Sequence, residues 1–296
     1  MNPLNPKDLS SIVACLISSE SDDQSRQEAE KTIMNSISDE LFQSFIELIK
    51  FDQSQEQKNY SSIIIFSNIL RRIKMIKNIT NIISILSEIY ALAIQLIFDS
   101  NSTSTSHFPA NLLITCINSS IEITNRNKTD LEIPFFQDLF EGIMTSTTSS
   151  SVHGFCVATC DLLNDYSLKN YCSEEEFVSF LSGLITLLQN NYSVYEKEKG
   201  SKEIEKEDNS LLDIFLDILK LAKTIFEQDE ICVFFNENQQ IFQDFIQTIL
   251  NFLNLPEAFS STIDCITSLA ESDQTLLFSY LPPLFEIMTG FINESA

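Results

Sequence analysis

Tryptophan is absent, histidine occurs twice, and only 5 glycines and 7 prolines are spread over 296 residues. Glycine supplies the positive-φ positions that tight hairpins and phosphate-cradling loops need. Its scarcity argues against a β-rich fold and against a Gly-rich nucleotide site. With only His107 and His153, neither a Ser/His/acid triad nor a zinc site of four nitrogen and sulfur ligands assembles convincingly. Basic residues are scarce too: 18 Lys and Arg stand against 42 Asp and Glu, a net charge of −24. A surface this negative repels phosphate backbones, so no direct nucleic-acid binding is expected. The charge has two readings: it keeps a long exposed surface soluble, or it attracts basic partners.

What remains is apolar and helical. Hydrophobic residues make up 44% of the chain, with 23 Phe, enough for a large core. The opening Met1-Asn2-Pro3-Leu4-Asn5-Pro6 has no cation and no apolar run, so it does not read as a signal peptide. Together with an odd count of 7 Cys, this implies reduced thiols in the cytosol or nucleus. Cys156 and Cys160 are four apart on one helix and Cys172 follows, but no Cys-x-x-Cys occurs, so buried core thiols are expected. Catalytic residues, metal and cofactors are all expected to be absent, and the chain does not read as an enzyme.

Apolar periodicity gives helix after helix. Helices are expected over Lys7–Ser19 and from an Asp22 cap to Ile37, where Ala29, Ile33 and Ile37 recur every fourth residue. The next is capped by Asp39 and buries Leu41, Phe42, Phe45, Ile46 and Ile49. Gln55–Lys74, Asn78–Phe98, Ala110–Ile123, Leu131–Thr145, Val152–Asn164 and Ser173–Asn190 follow. Ser210–Glu227, Glu237–Leu253, Glu257–Glu271 and Asp273–Asn293 complete the set. Ile82–Phe98 has Glu88 as its only charge, but it is short for a membrane span, which needs about 20 residues. Its polar Ser84, Ser87, Glu88 and Gln95 fall on one stripe, the pattern of a helix buried on most sides. Insertion into a membrane is therefore not expected.

In pairs, these helices recur at roughly 35–50 residues, the period of HEAT and armadillo arrays. One pair is too thin to bury its own apolar face and needs neighbours. The expected fold is all-α: one continuous right-handed superhelical solenoid of HEAT-type antiparallel helix pairs over residues 1–296. Two interruptions are expected. Asp99 to Ser106 reads as a Ser/Thr/Asn loop ended by His107 and Pro109. Residues 195–208 are nearly all charged with mixed signs and read as an inserted loop, the most mobile internal segment, either solvated or in contact with a partner. Arg71, Arg72, Lys74 and Lys77 form a basic cluster that either offsets a helix dipole or meets an acidic partner.

The first part of the chain, residues 1–77, resembles the N-terminal domain of the importin-β family of nuclear transport receptors. Asp22-Asp23-Gln24-Ser25-Arg26-Gln27-Glu28-Ala29-Glu30-Lys31-Thr32-Ile33 is similar to that family's Arg-x-x-Ala-Glu helix. Leu41-Phe42-Gln43-Ser44-Phe45-Ile46-Glu47-Leu48-Ile49 is similar to its Phe/Leu-rich helix. Asn59 to Arg71 resembles the helix that ends in Leu-Lys-Asn, with Asn68 kept, Ser67 in place of the Lys and Ile63 in place of an Ala. Ser261–Ser272 with Leu281-Pro282-Pro283-Leu284 looks like the Leu-Ala-Glu and Leu-Pro repeats of importins that carry ribosomal proteins and histones. Residues 78 to 255 match in general HEAT character.

The resemblance implies a receptor that binds the small GTPase Ran in its GTP form, basic protein cargo and the Phe-Gly repeats of nucleoporins. Such a receptor works in the cytoplasm and nucleus and at nuclear envelope pores. Carried over from the resemblance, Glu28, Lys31, Ser67, Asn68 and Arg71 are the expected Ran contacts. The alternative is a HEAT-repeat scaffold or adaptor that binds proteins without Ran.

Overall fold

Several helix starts are set by short polar side chains that satisfy the first free N–H groups. Asp22 accepts from the Ser25 N–H at 2.6 Å and opens α2 (Asp23–Asn35), which follows α1 (Pro6–Ile17). Ser38, not the expected Asp39, caps α3 (Asp39–Phe51): its Oγ accepts from the Leu41 N–H at 3.3 Å. Asp39 instead lies in the first turn, where a carboxylate still favours the helix. Then come α4 (Glu56–Leu70), α5 (Ile82–Phe98) and α6 (Thr103–Asn127).

The remaining helices are α7 (Phe135–Thr145), α8 (Ser149–Asp165), α9 (Leu168–Tyr171), α10 (Glu174–Gly200), α11 (Ser210–Phe226), α12 (Ile231–Glu237), α13 (Gln239–Asn251) and α14 (Phe259–Ser272). Two 3₁₀ segments are Phe252–Asn254 and Gln274–Tyr280. The computed structural model describes residues 6–18, 21–51, 56–71, 82–127, 135–200, 210–228, 230–282, 284, 285 and 289. Among these there is no strand, so the expected all-α class holds.

Packing divides the chain into two compact units, Met1–Ile133 and Pro134–Ala296. In the first, consecutive helices pair, α1 with α2, α3 with α4 and α5 with α6. The pairs stack through α1 on α3, α3 on α5 and α4 on α6. In the second, α7 pairs with α8 and α10 with α11. There α7 packs on α10 and α10 on α13, while α8 packs on α11 and α11 on α14. Each unit thus has helical-repeat character: helix pairs in two layers, each burying its apolar stripe against the next pair.

The core is Phe, Ile and Leu, as composition requires. In the first unit Phe66 stacks on Phe45 with centroids 4.9 Å apart and touches Phe42 at 5.8 Å. In the second, Phe140 stacks on Phe180 at 3.7 Å, and Phe226 meets Phe235 and Phe245 at 5.8 Å each. Buried hydroxyls bond back one turn, as Thr159 does to the Phe155 carbonyl and Thr262 to that of Ala258. The exposed face of α5 carries Ser84, Ser87 and Gln95, and Ile85, Leu86, Ile89, Leu92, Ala93 and Ile97 are buried. No helix among the described residues is long and apolar enough to cross a membrane.

Both expected interruptions are shorter than expected. The Ser/Thr/Asn stretch becomes the first turn of α6: the Thr105 and Ser106 N–H groups donate to the Ser102 carbonyl, and the Ser102 and Thr105 hydroxyls meet at 2.8 Å. Pro109 lies inside that helix. The charged stretch 195–208 also begins as helix, since α10 runs to Gly200. The Tyr195 ring holds it edge-on against Phe215 at 5.9 Å. The rest of that stretch, 201–208, lies outside the described residues, as do Arg72, Lys74 and Lys77.

Candidate interaction surfaces

The five residues singled out for GTPase contact lie on or just after two helices of the first unit, α2 and α4, both of which pack on α1. Burying Ala29 and Ile33 turns the opposite side of α2 to solvent, and Glu28 and Lys31 stand exposed there, three apart on one stripe. Glu28 accepts from the Gln24 amide at 3.3 Å. On α4, Phe66 and Leu70 point inward, while Ile64, Asn68 and Arg71 form an exposed stripe at i, i+4 and i+7. Arg71 lies just past the helix end, its N–H donating to the Ser67 carbonyl. Ser67 does not join this face. It is 6% exposed, and its hydroxyl donates to the Ile63 carbonyl at 2.9 Å.

Cys156, Cys160 and Cys116 are buried, and loss of water pushes their thiols up, Cys116 to about 12. No group of three His, Cys, Asp or Glu among the described residues could hold a metal ion.

The chain matches no family model, no curated protein and no solved structure. Its surfaces therefore have to be read from their own chemistry.

His153 is partly exposed, with Nδ1 2.8 Å and 3.0 Å from the two carboxylate oxygens of Asp217, joining α8 to α11. The two residues are 64 positions apart, so no local spacing signals the pair. The Asp217 hydrogen bond raises the imidazole above its ordinary 6.5, against an opposing effect of burial. Asp213 also favours the cation and Lys220 disfavours it. Because the folded value is raised, the stabilisation is complete below about pH 6.5 and is lost as pH rises through the folded value. Melting measured from pH 5.5 to 8.5 is expected to show the wild type losing more stability than His153→Gln across that window. Equal slopes would remove the pair as a source of pH dependence. At pH 5.5, Asp217→Asn is expected to cost about 1.5 kcal/mol, the scale of a charged hydrogen bond.

The second unit also holds a groove of about 1030 Å³. The C-terminal end of α8, α9 and the start of α10 form one wall; the end of α11 and α12 form the other. Phe177 and Ile231 are buried beneath it, and Phe177 meets Phe234 edge-on at 4.9 Å. Neither α9 nor α12 was expected from periodicity, because segments of 4 and 7 residues are too short to show one.

Proposed function

We propose that the chain is a protein-binding helical-repeat receptor of the importin-β type, whose two-layer helix pairs continue as a right-handed HEAT superhelix. In this reading it binds Ran in its GTP form through the first unit, takes basic cargo and meets nucleoporin Phe-Gly repeats. It shuttles between cytoplasm and nucleus and carries out no catalysis. The observation that carries the reading is the double stripe of Glu28 and Lys31 on α2 and Asn68 and Arg71 at α4. These residues come from the segments that resemble the family, and they are exposed on helices whose other faces are buried. The net charge of −24 supports a basic cargo. Ser67, buried and bonded to its own helix, is left out of the contact set.

The test is a binding titration with Ran held in its GTP and GDP forms. The GTP form is expected to bind at least about tenfold more tightly, a difference of about 1.4 kcal/mol. Charge reversal by Glu28→Lys with Lys31→Glu is expected to remove about that much while leaving the helical circular dichroism intact. Equal affinity for the two forms, or no binding to either, sinks the transport reading and favours a HEAT-repeat scaffold without Ran.

A further inference from the structure

We infer that the groove between the α8–α10 wall and the α11–α12 wall is a docking site for a cationic peptide segment that carries one bulky aliphatic side chain. It names a site for the basic partner of the proposed function and rests on that reading in this one respect; the Ran arm concerns the other unit and is tested separately.

Three observations converge. The first is shape: the groove holds about 1030 Å³ over an apolar floor. Val233 stands at its edge 60% exposed, beside buried Ile231 and Phe177, where an apolar ligand group can cover it. The second is charge. Asp165, Glu174, Glu227, Glu230 and Glu237 line the groove against Lys169, its one cation among the described residues. Lys169 is held by Glu230 at 2.9 Å, and Glu174 accepts from the Asn238 amide at 2.8 Å. Glu227 takes Lys223 at 3.7 Å and the Ser268 hydroxyl at 3.2 Å. Asp165 and Glu237 have no such partner among the described residues.

The third observation concerns helix ends. Asp165 is the last residue of α8, Glu237 the last of α12, and Glu227 follows the last residue of α11. A helix C-terminus carries partial negative charge and favours cations there. Carboxylates stand at three such ends in one groove; the starts of α9, α10 and α12, which bring the opposite partial charge, also line it, so the attraction for a cation comes from the carboxylates themselves. The arrangement works against local helix stability, and a cationic ligand relieves it. An anionic or neutral ligand gains nothing from it. The groove volume and the apolar side chains in it suit a peptide side chain rather than a bare ion, which would leave them unused.

The full chain is titrated with a labelled Gly/Ser peptide bearing several Arg and one Leu. Two analogues accompany it, one with Arg replaced by Gln and one with the Leu replaced by Gly. The Arg/Leu peptide is expected to bind, and raising salt to weaken it. Removing the Leu is expected to weaken binding about tenfold, the scale of burying one aliphatic side chain. The Gln analogue is expected not to bind. Asp165→Lys with Glu237→Lys is expected to weaken the Arg/Leu peptide at least about tenfold. Lysine at a helix C-terminus is favourable, so this variant keeps its fold. Val233→Ser is expected to weaken the Arg/Leu peptide and leave the Leu-free peptide unchanged. Glu47→Lys with Asp99→Lys, an equal charge change on exposed positions of the other unit, is the control. If the control weakens binding as much as the groove variant, the attraction is the diffuse field of the whole chain and the site is overturned. An indifferent Leu overturns it as well, and so does failure of the Arg/Leu peptide to bind.

Discussion

Phe66→Ala is expected to destabilise the first unit by about 3–5 kcal/mol, the cost of emptying a large ring from a packed core. Phe66 is fully buried on α4. Its ring lies parallel to Phe45 of α3, 5° from coplanar, and tilts over Phe42. These rings are the contact by which the α3–α4 pair closes. Guanidinium unfolding followed by circular dichroism reads the loss, and hydrogen exchange across α3 and α4 localises it. Ile64→Ala, two residues away on the exposed side at 44% exposure, is expected to change stability by no more than about 0.5 kcal/mol. Similar costs for the two substitutions would mean that the ring stack does not hold this pair together.

The same burial pattern explains what was legible in the sequence. Long amphipathic runs such as Phe42-Phe45-Ile46-Ile49 and Ala29-Ile33 announce both the helix and its inner face, and these residues are buried. Asp22 announces a start because its carboxylate has one available task, the free N–H groups of the next turn. Boundaries were harder to read where two polar residues compete. Ser38 takes the cap that Asp39 also suits, and the hydroxyls of Ser102 and Thr105 turn a polar stretch into the first turn of α6. The capping box at Ser173 and Glu176 shows the same chemistry in a readable spacing: the Ser173 N–H donates to Glu176 Oε2 at 2.8 Å, and the Glu176 N–H donates back to Ser173 Oγ. The extension of α10 to Gly200 carries Tyr195 against Phe215 across the helix pair, a contact that no local spacing signals.

The surfaces divide along the same line. That Glu28, Lys31 and Asn68 are exposed follows from the periodicity of their own helices, since the apolar positions beside them fix the inward side. Ser67 departs from the resemblance because it lies on the buried stripe with Ile63, Phe66 and Leu70. The His153–Asp217 pair and the groove were not legible, since each joins segments far apart in the chain through the stacking of one helix pair on the next. In a repeat array the face of a helix is a local property. A site made from the ends of several helices belongs to the stack.

Two glycines test how tightly that stack is set. Gly142 on α7 and Gly183 on α10 both lie inside helices, where replacement by Ala gains about 1 kcal/mol of propensity. A Cβ at Gly142 would lie 2.6 Å from the Phe155 ring of α8. That ring is fully buried, so it cannot swing clear. Gly142→Ala must push the α7–α8 pair apart, and a net loss of about 1 kcal/mol is expected, since overpacking typically costs about 1–3 kcal/mol against the propensity gain of about 1 kcal/mol. A Cβ at Gly183 would meet the Met144 methyl at 2.7 Å, the far end of an unbranched side chain that is only half-buried. Met144 can rotate away, so Gly183→Ala is expected to be neutral or up to about 1 kcal/mol more stable. Thermal melts of the two variants are therefore expected to separate by about 1–2 kcal/mol for the same chemical change, with Gly142→Ala the less stable. If both stabilise, α7 and α8 have slack between them and the close approach at Phe155 does not constrain the pair.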